Sequence, residues 1–157
     1  GCLIYQGAYG LSNFRTKDSL STSSPFQLAS VSKMFAAMSA MMLHEEGKLD
    51  YDADIKTYLP TFPYDSVTVR LLMTHRSGLS RYMTLAHEEW TDKTIPMTND
   101  DILGLFAEHV PKPYFLPDKG FHYCNTNYAI LACVIEAVSG MQGSSTRRGW
   151  RIHLYII

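Results

Sequence analysis

The chain is poor in the features that mark several protein classes, and each shortage excludes something. Only three cysteines, Cys2, Cys124 and Cys133, occur in 157 residues, an odd number without C-x-x-C spacing. Neither a zinc site nor a disulfide framework is implied. No run of about 18 apolar residues is present to span a bilayer, and no charged segment leading into an apolar one opens the chain. Because the sequence begins at Gly1 rather than Met, that second absence says nothing about compartment. Charge of either sign is scarcely in excess: 14 Lys and Arg face 15 Asp and Glu, a net of -1, which argues against a nucleic-acid partner. A G-x-S-x-G turn is missing, which argues against a Ser-His-Asp hydrolase built on a nucleophile elbow. His87 and Glu88 begin an H-E-x-x-H pattern, but Thr91 stands where the second histidine belongs. A metalloprotease helix is therefore not expected, and neither is any metal or cofactor.

What the chain has in quantity is apolar material, 46% of residues against 18% charged, enough for one globular unit with a real core. The charge is unevenly placed. All 15 acidic residues precede Met141, whereas Arg147, Arg148 and Arg151 follow it. The part before the tail therefore has 14 less 3 basic groups against 15 acids, a net of -4. Residues 1–140 read as one unit and 141–157 as an atypical tail without an assignable role.

The densest apolar stretch is residues 26–47, FQLASVSKMFAAMSAMMLHEEG. It predicts a short strand running into a long helix, apolar on nearly every side from Met34 to Leu43 and so expected in a core. Gly47 supplies the left-handed residue that ends it. Ser30 falls where the helix begins and Lys33 follows three residues later, so both side chains share one face of the first turn. An amine near the positive end of a buried helix is favoured in its neutral form, and a neutral lysine can take a proton from a serine. The Ser30 N–H, unpaired in the first turn, can point at an oxyanion forming on an attacked carbonyl. The pair by itself decides little, since about one Ser-x-x-Lys arises by chance in such a composition. A helix cap beside a snorkelling lysine has the same spacing.

Elsewhere, residues 2–11 read as a strand and 26–28 as its hairpin partner across the polar, turn-rich residues 13–24. A second helix is predicted at 68–75, capped by Thr68, with Leu71, Leu72 and Met73 as core and Gly78 closing the turn after it. His75 fits a helix C-terminus, where the dipole stabilises its cation. Residues 81–97 lack clear periodicity and read as a long irregular connection. Residues 98–108 form a third helix, with Thr98 and Asp101 as a capping pair and Ile102, Leu103, Leu105 and Phe106 facing inward. After a proline-interrupted loop at 112–120, a strongly apolar helix runs over 128–139, capped by Asn125 or Thr126 and ended by Gly140. Tyr123 and Asn125, two apart in an extended turn, point into one shared space. A packed tyrosine beside a capping asparagine reads the same way.

Three of these segments, taken in order, resemble the serine beta-lactamase and penicillin-binding superfamily, nearest to class C beta-lactamases, D-alanyl-D-alanine carboxypeptidases and related esterases. They are FQLASVSKMF for Ser-x-x-Lys, LLMTHRSGL for a segment of the form LLTHTSGL, and FHYCNTNYAIL for Tyr-x-Asn. The resemblance runs from about residue 5 to residue 140. It implies an α/β (α+β) fold of the beta-lactamase/transpeptidase-like type, present as its N-terminal portion. It also implies Ser30 as the acylated nucleophile, Lys33 and Tyr123 sharing its proton, Tyr123 activating water, and Asn125 holding Lys33 and the substrate amide. The implied substrate is a small molecule or peptide: a beta-lactam, a D-alanyl peptide or a small ester. The compartment that the resemblance implies is periplasmic or secreted. Cys124 takes the middle position of Tyr-x-Asn, where a small residue is usual, so a thiol would line the pocket.

The family continues with a strand carrying Lys-Thr-Gly or His-x-Gly, and MQGSSTRRGWRIHLYII stands here instead. The alternative is thus a catalytically inactive truncated product, or a non-catalytic binding module that lacks the third motif. On either reading an unpaired sheet edge, a half-covered helix and self-association are expected.

Overall fold

Residues 125–139, the most apolar run after the proline-rich loop, form the helix around which the others pack. The computed structural model describes residues 1–140; the tail, whose residues 152–157 suit either a short edge strand or a sticky apolar end by sequence, lies outside the described residues. In chain order the elements are β1 (Leu11–Asn13), β2 (Asp18–Ser19), a 3-10 turn (Ala29–Val31), α1 (Ser32–Glu45), a second 3-10 turn (Ile55–Thr57), α2 (Val69–Met73), α3 (Tyr82–Glu89), α4 (Asn99–His109) and α5 (Asn125–Ser139). α5 packs against α1, α2 and α4, and every residue from Thr126 to Ile135 is buried. A helix greasy on all faces needs neighbours on all faces, and this one has them.

Local chemistry sets several boundaries as the sequence predicts. Thr68 caps α2 by accepting from the Leu71 N–H, and Thr98 and Asp101 form a reciprocal capping box at the start of α4. Ile102 and Phe106 of that helix are buried, with Leu103 and Leu105 half-buried beside them. Gly47 and Gly140 are both left-handed, at φ 70° and 68°, and end α1 and α5.

Four expectations are corrected. Residues 2–10 and 26–28 are not strands: Leu3, Ile4, Tyr5 and Tyr9 are exposed, Ile4 at 95%, and extended apolar backbone without a partner has nothing to hold it in a ladder. The hairpin is instead the small β1–β2 pair, with Asn13 Oδ1 accepting from the N–H groups of Arg15 and Thr16 in its turn. α1 is not enclosed. It buries Lys33, Ala36, Ala40 and Leu43 and exposes Met34, Phe35, Met38, Met41 and Met42, so packing supplied by α5 on one side decides what composition alone could not. Residues 82–89 are helical, burying Tyr82 and Leu85 three apart; Arg81 at the N-cap makes no side-chain cap bond, so the usual start signal is missing. Finally, α5 begins at Asn125, and Cys124 is its N-cap without a side-chain bond. Thr126 is thus inside the helix, where its hydroxyl donates to the Ser80 carbonyl and accepts from the Tyr82 N–H.

The loop at 111–120 is fastened to the turn after α2. Tyr114 N–H donates to the Gly78 carbonyl at 2.8 Å, Asp118 N–H to the Arg76 carbonyl at 2.9 Å, and the Arg76 guanidinium pairs with Asp118 at 2.7 Å. Gly78, at φ 81°, lies so close to Phe115 that a Cβ there would sit 2.0 Å from its carbonyl oxygen. Only glycine fits both the backbone angle and the space.

Candidate active site

Ser30 lies in the 3-10 turn that leads into α1, immediately after Ala29, which is held at φ 46°. A non-glycine residue in the left-handed region stores strain, and here it sets the entry angle of the serine. Lys33 follows on the first turn of α1, only 6% exposed, with Nζ 3.2 Å from Ser30 Oγ. Sequence spacing alone places that pair.

The other two residues come from 93 and 92 positions further on, Tyr123 after Ser30 and Asn125 after Lys33. The Tyr123 hydroxyl donates to Ser30 Oγ at 2.9 Å, and Lys33 Nζ donates to Asn125 Oδ1 at 2.9 Å. Lys33 Nζ also lies 5.1 Å from the Tyr123 ring centre and 5.7 Å from that of Tyr128. No carboxylate pairs with Lys33 among the described residues. Ser30, Lys33, Tyr123 and Asn125 therefore converge. Ser30 Oγ takes two donors on its two lone pairs, so its own proton has a natural acceptor as soon as either neighbour gives one up. Tyr123 leans that way: its hydrogen bonds to Ser30 and then Lys33, with the nearby ammonium charge, hold the phenol below its ordinary pKa. At 49% exposed, Tyr123 is half open to solvent.

Beneath the tyrosine lies a polar layer whose residues fall within two of the motif segments but whose contacts the sequence does not give. The His75 ring sits 4.4 Å from the Tyr123 ring, centre to centre, and 5.3 Å from that of Tyr128. Its Nδ1 accepts from the Cys124 N–H at 3.3 Å and faces Asn127 Nδ2 at 3.1 Å, while its carbonyl accepts from the His122 N–H at 3.0 Å. Asn127 in turn accepts from the Ser77 hydroxyl. With Nδ1 as acceptor, the ring is neutral and its proton sits on Nε2. Burial, and then the Lys33 charge, lower the His75 pKa. The dipole-stabilised cation expected from its place after α2 is therefore replaced by a neutral acceptor that fixes the backbone on both sides of Tyr123. His75 and Ser77 stand in a polar stretch, THRSG, and Asn127 in another, HYCNTN, so nothing local marks these three as the buried ones.

Cys124 is buried, with Sγ 3.3 Å from Thr126 Oγ1, and borders a cavity of about 260 Å³ that Tyr123, Asn125 and Arg81 also line. Among the described residues no three His, Cys, Asp or Glu side chains are grouped as a metal site would need, and no helix is long and apolar enough to cross a membrane.

This architecture is shared with proteins of known family. The chain is 39% identical over 141 residues to Penicillin-binding protein 4* of Bacillus subtilis (strain 168), covering 90% of this chain and 31% of that protein. It is 27% identical over 141 residues to a D-aminopeptidase of Cereibacter sphaeroides (strain KD131 / KCTC 12085), covering 89% of this chain and 27% of the relative. In three dimensions it matches a penicillin binding protein from Bacillus halodurans with a TM-score of 0.69 at 33% identity, over 83% of this chain and 40% of that one. The chain thus spans about a third of the length of the curated relatives it matches, and its helices and short hairpin are a partial domain of the beta-lactamase/transpeptidase-like fold. The family model described as Beta-lactamase matches residues 1–147, and with that coverage the chain belongs to the beta-lactamase family.

Proposed function

We propose that the protein is a serine hydrolase that works by acyl transfer through an ester on Ser30. The observation that carries this is the double donation to Ser30 Oγ, by Lys33 Nζ at 3.2 Å and the Tyr123 hydroxyl at 2.9 Å. When either group has lost its proton, the serine proton passes to it as Oγ bonds to the substrate carbonyl carbon. The Ser30 N–H, which has no acceptor among the described residues, donates to the oxygen that becomes negative. Collapse of that intermediate breaks the bond to the leaving nitrogen or oxygen, which takes a proton back from the Lys33–Tyr123 pair. Water, giving its proton to deprotonated Tyr123, then adds to the ester carbonyl carbon; the acyl–Oγ bond breaks, Tyr123 returns the proton to Ser30 Oγ, and the acid is released. Asn125 holds Lys33 through Oδ1 and has Nδ2 to offer to the substrate amide. Similarity to proteins named for penicillin binding and D-aminopeptidase activity supports a beta-lactam or a D-alanyl peptide as substrate, and the motif resemblance adds a small ester. Intact mass spectrometry after incubation with a penicillin or a fluorophosphonate tests the reading: one adduct, on Ser30, abolished by Ser30→Ala. Folded protein that gains no mass, or gains it equally in the variant, overturns it.

A second reading is binding without turnover. What favours it is that the described residues offer one oxyanion donor, and absence of a second typically costs about a hundred- to a thousandfold in rate. It predicts saturable penicillin binding to the wild-type chain with no covalent adduct.

A further inference from the structure

The cavity beside Tyr123 has a wall whose polar groups are almost all spoken for. The Tyr123 hydroxyl is on Ser30, Asn125 Oδ1 on Lys33, and Thr126 Oγ1 is shared between the Ser80 carbonyl and the Tyr82 N–H. Of the residues that line the cavity, Asn125 at Nδ2 and Arg81, which is exposed, have no hydrogen-bond or ion-pair partner for those side-chain donors among the described residues. Both are donors. The contrast with Arg70 and Arg76 is informative, since each of those is paired with an aspartate, Asp52 and Asp118. Arg81 lines the cavity with no carboxylate paired to it among the described residues.

We propose that Arg81 is a specificity-determining residue that receives a carboxylate on the acyl-donor part of the substrate, in the cavity next to Ser30. The inference rests on the Ser30 acyl-transfer reading and deepens it by naming the substrate class: acyl donors that end in an anion. The dimensions fit a short acyl chain. A volume of about 260 Å³ is room for about nine waters, enough for a few methylenes and a carboxylate. Tyr82 and Met83 give the same cavity an apolar surface for those methylenes. Asn125 Nδ2 meets the acyl amide oxygen nearer the serine, and the planar guanidinium takes the terminal carboxylate on two parallel N–H bonds. The substrate is therefore read at two points that differ in charge: a neutral amide at Asn125, an anion at Arg81.

The test has two arms on the full chain. In the first, the Ser30→Ala protein is titrated with N-glutaryl-D-alaninamide and with the methyl ester of its glutaryl group, following the Arg81 Nε–H signal by NMR. The expected result is a shift of that signal and about tenfold tighter binding for the free carboxylate. An unmoved Arg81 signal, or equal affinities, overturns the proposal whatever the chemistry at Ser30. In the second, wild-type and Arg81→Gln proteins react with the phenyl thioesters of the same two acyl groups, and Ser30 acylation is timed by intact mass. The carboxylate is expected to react about tenfold faster in the wild type, with the ratio falling towards one in Arg81→Gln. A ratio that persists in the variant overturns the proposal. No adduct from either thioester, together with a shifted Arg81 signal in the first arm, defeats the Ser30 reading while leaving Arg81 as an anion-binding residue.

Discussion

Lys33 Nζ and Asn125 Oδ1 lie 2.9 Å apart although 92 residues separate them, and this single bond ties the first turn of α1 to the first residue of α5. It is made by a nearly buried amine, so it has both a structural and a chemical consequence. In Asn125→Ala the amine loses its side-chain acceptor on α5, which is expected to cost about 1–3 kcal/mol of stability. Loss of lysine positioning is expected to slow acylation of Ser30 by about tenfold or more. Urea unfolding and timed intact mass report the two effects; an unchanged acylation rate in a folded variant would remove Asn125 from the site.

Tyr123→Phe separates chemistry from packing. The ring still lies against His75, tilted by 39°, and the side chain is half-exposed, so the unfolding midpoint should barely move. Removal of a general acid or base typically lowers rate by about a hundred- to ten-thousandfold. Acylation that survives in Tyr123→Phe at the wild-type rate would assign the serine proton to Lys33 alone.

His75 predicts a pH dependence. Its pKa in the folded chain lies below the ordinary value of 6.5 because of burial and the Lys33 charge. Above that value the ring is neutral folded and unfolded, and its contribution is fully present. As pH falls below 6.5 the unfolded chain takes the proton first, so stability is lost progressively until the folded ring protonates as well. Protonation also removes the acceptor used by the Cys124 N–H. Denaturation midpoints measured from pH 7 downwards should fall in the wild type and fall less in His75→Gln. Equal slopes would show that the ring is not the titrating group.

Gly78→Ala should be among the most damaging single-methyl additions in the chain. The new Cβ meets the Phe115 carbonyl oxygen at 2.0 Å, and the backbone is left-handed at φ 81°. A cost of about 3 kcal/mol or more is expected, read as a large drop in melting temperature. A variant that melts with the wild type would mean that the loop at 111–120 yields without penalty.

The exposed methionines of α1 predict behaviour in solution. Met34, Met38, Met41 and Met42, at i, i+4, i+7 and i+8, stand exposed as one apolar face beside the buried stripe. The 157-residue chain is expected to self-associate in a concentration-dependent way, and Met38→Lys to weaken that association. Light scattering coupled to gel filtration decides it, and a monomer at every accessible concentration would sink the expectation.

Much of this was legible in the sequence, but only where the determining interactions are local. The i, i+3 spacing puts Ser30 and Lys33 on one face of a helical turn, Thr98 and Asp101 cap their own helix, and Gly47 and Gly140 terminate theirs, because each depends on backbone geometry within a few residues. The order of three short motifs likewise pointed to the family.

Tertiary structure alone decided what depends on partners far along the chain. The apolar surroundings of α1 and α5 look alike in sequence, yet α5 is enclosed by three helices while α1 keeps a bare face, since burial is a property of neighbours and not of composition. The role of His75 followed the same rule: its position after α2 favours a cation, but the Cys124 and Asn127 donors brought to it from some 50 residues away, together with the Lys33 charge, require a neutral ring. Long-range packing sets local dielectric and hydrogen-bond supply, and those outweigh a helix dipole of a few tenths of a kcal/mol to about one.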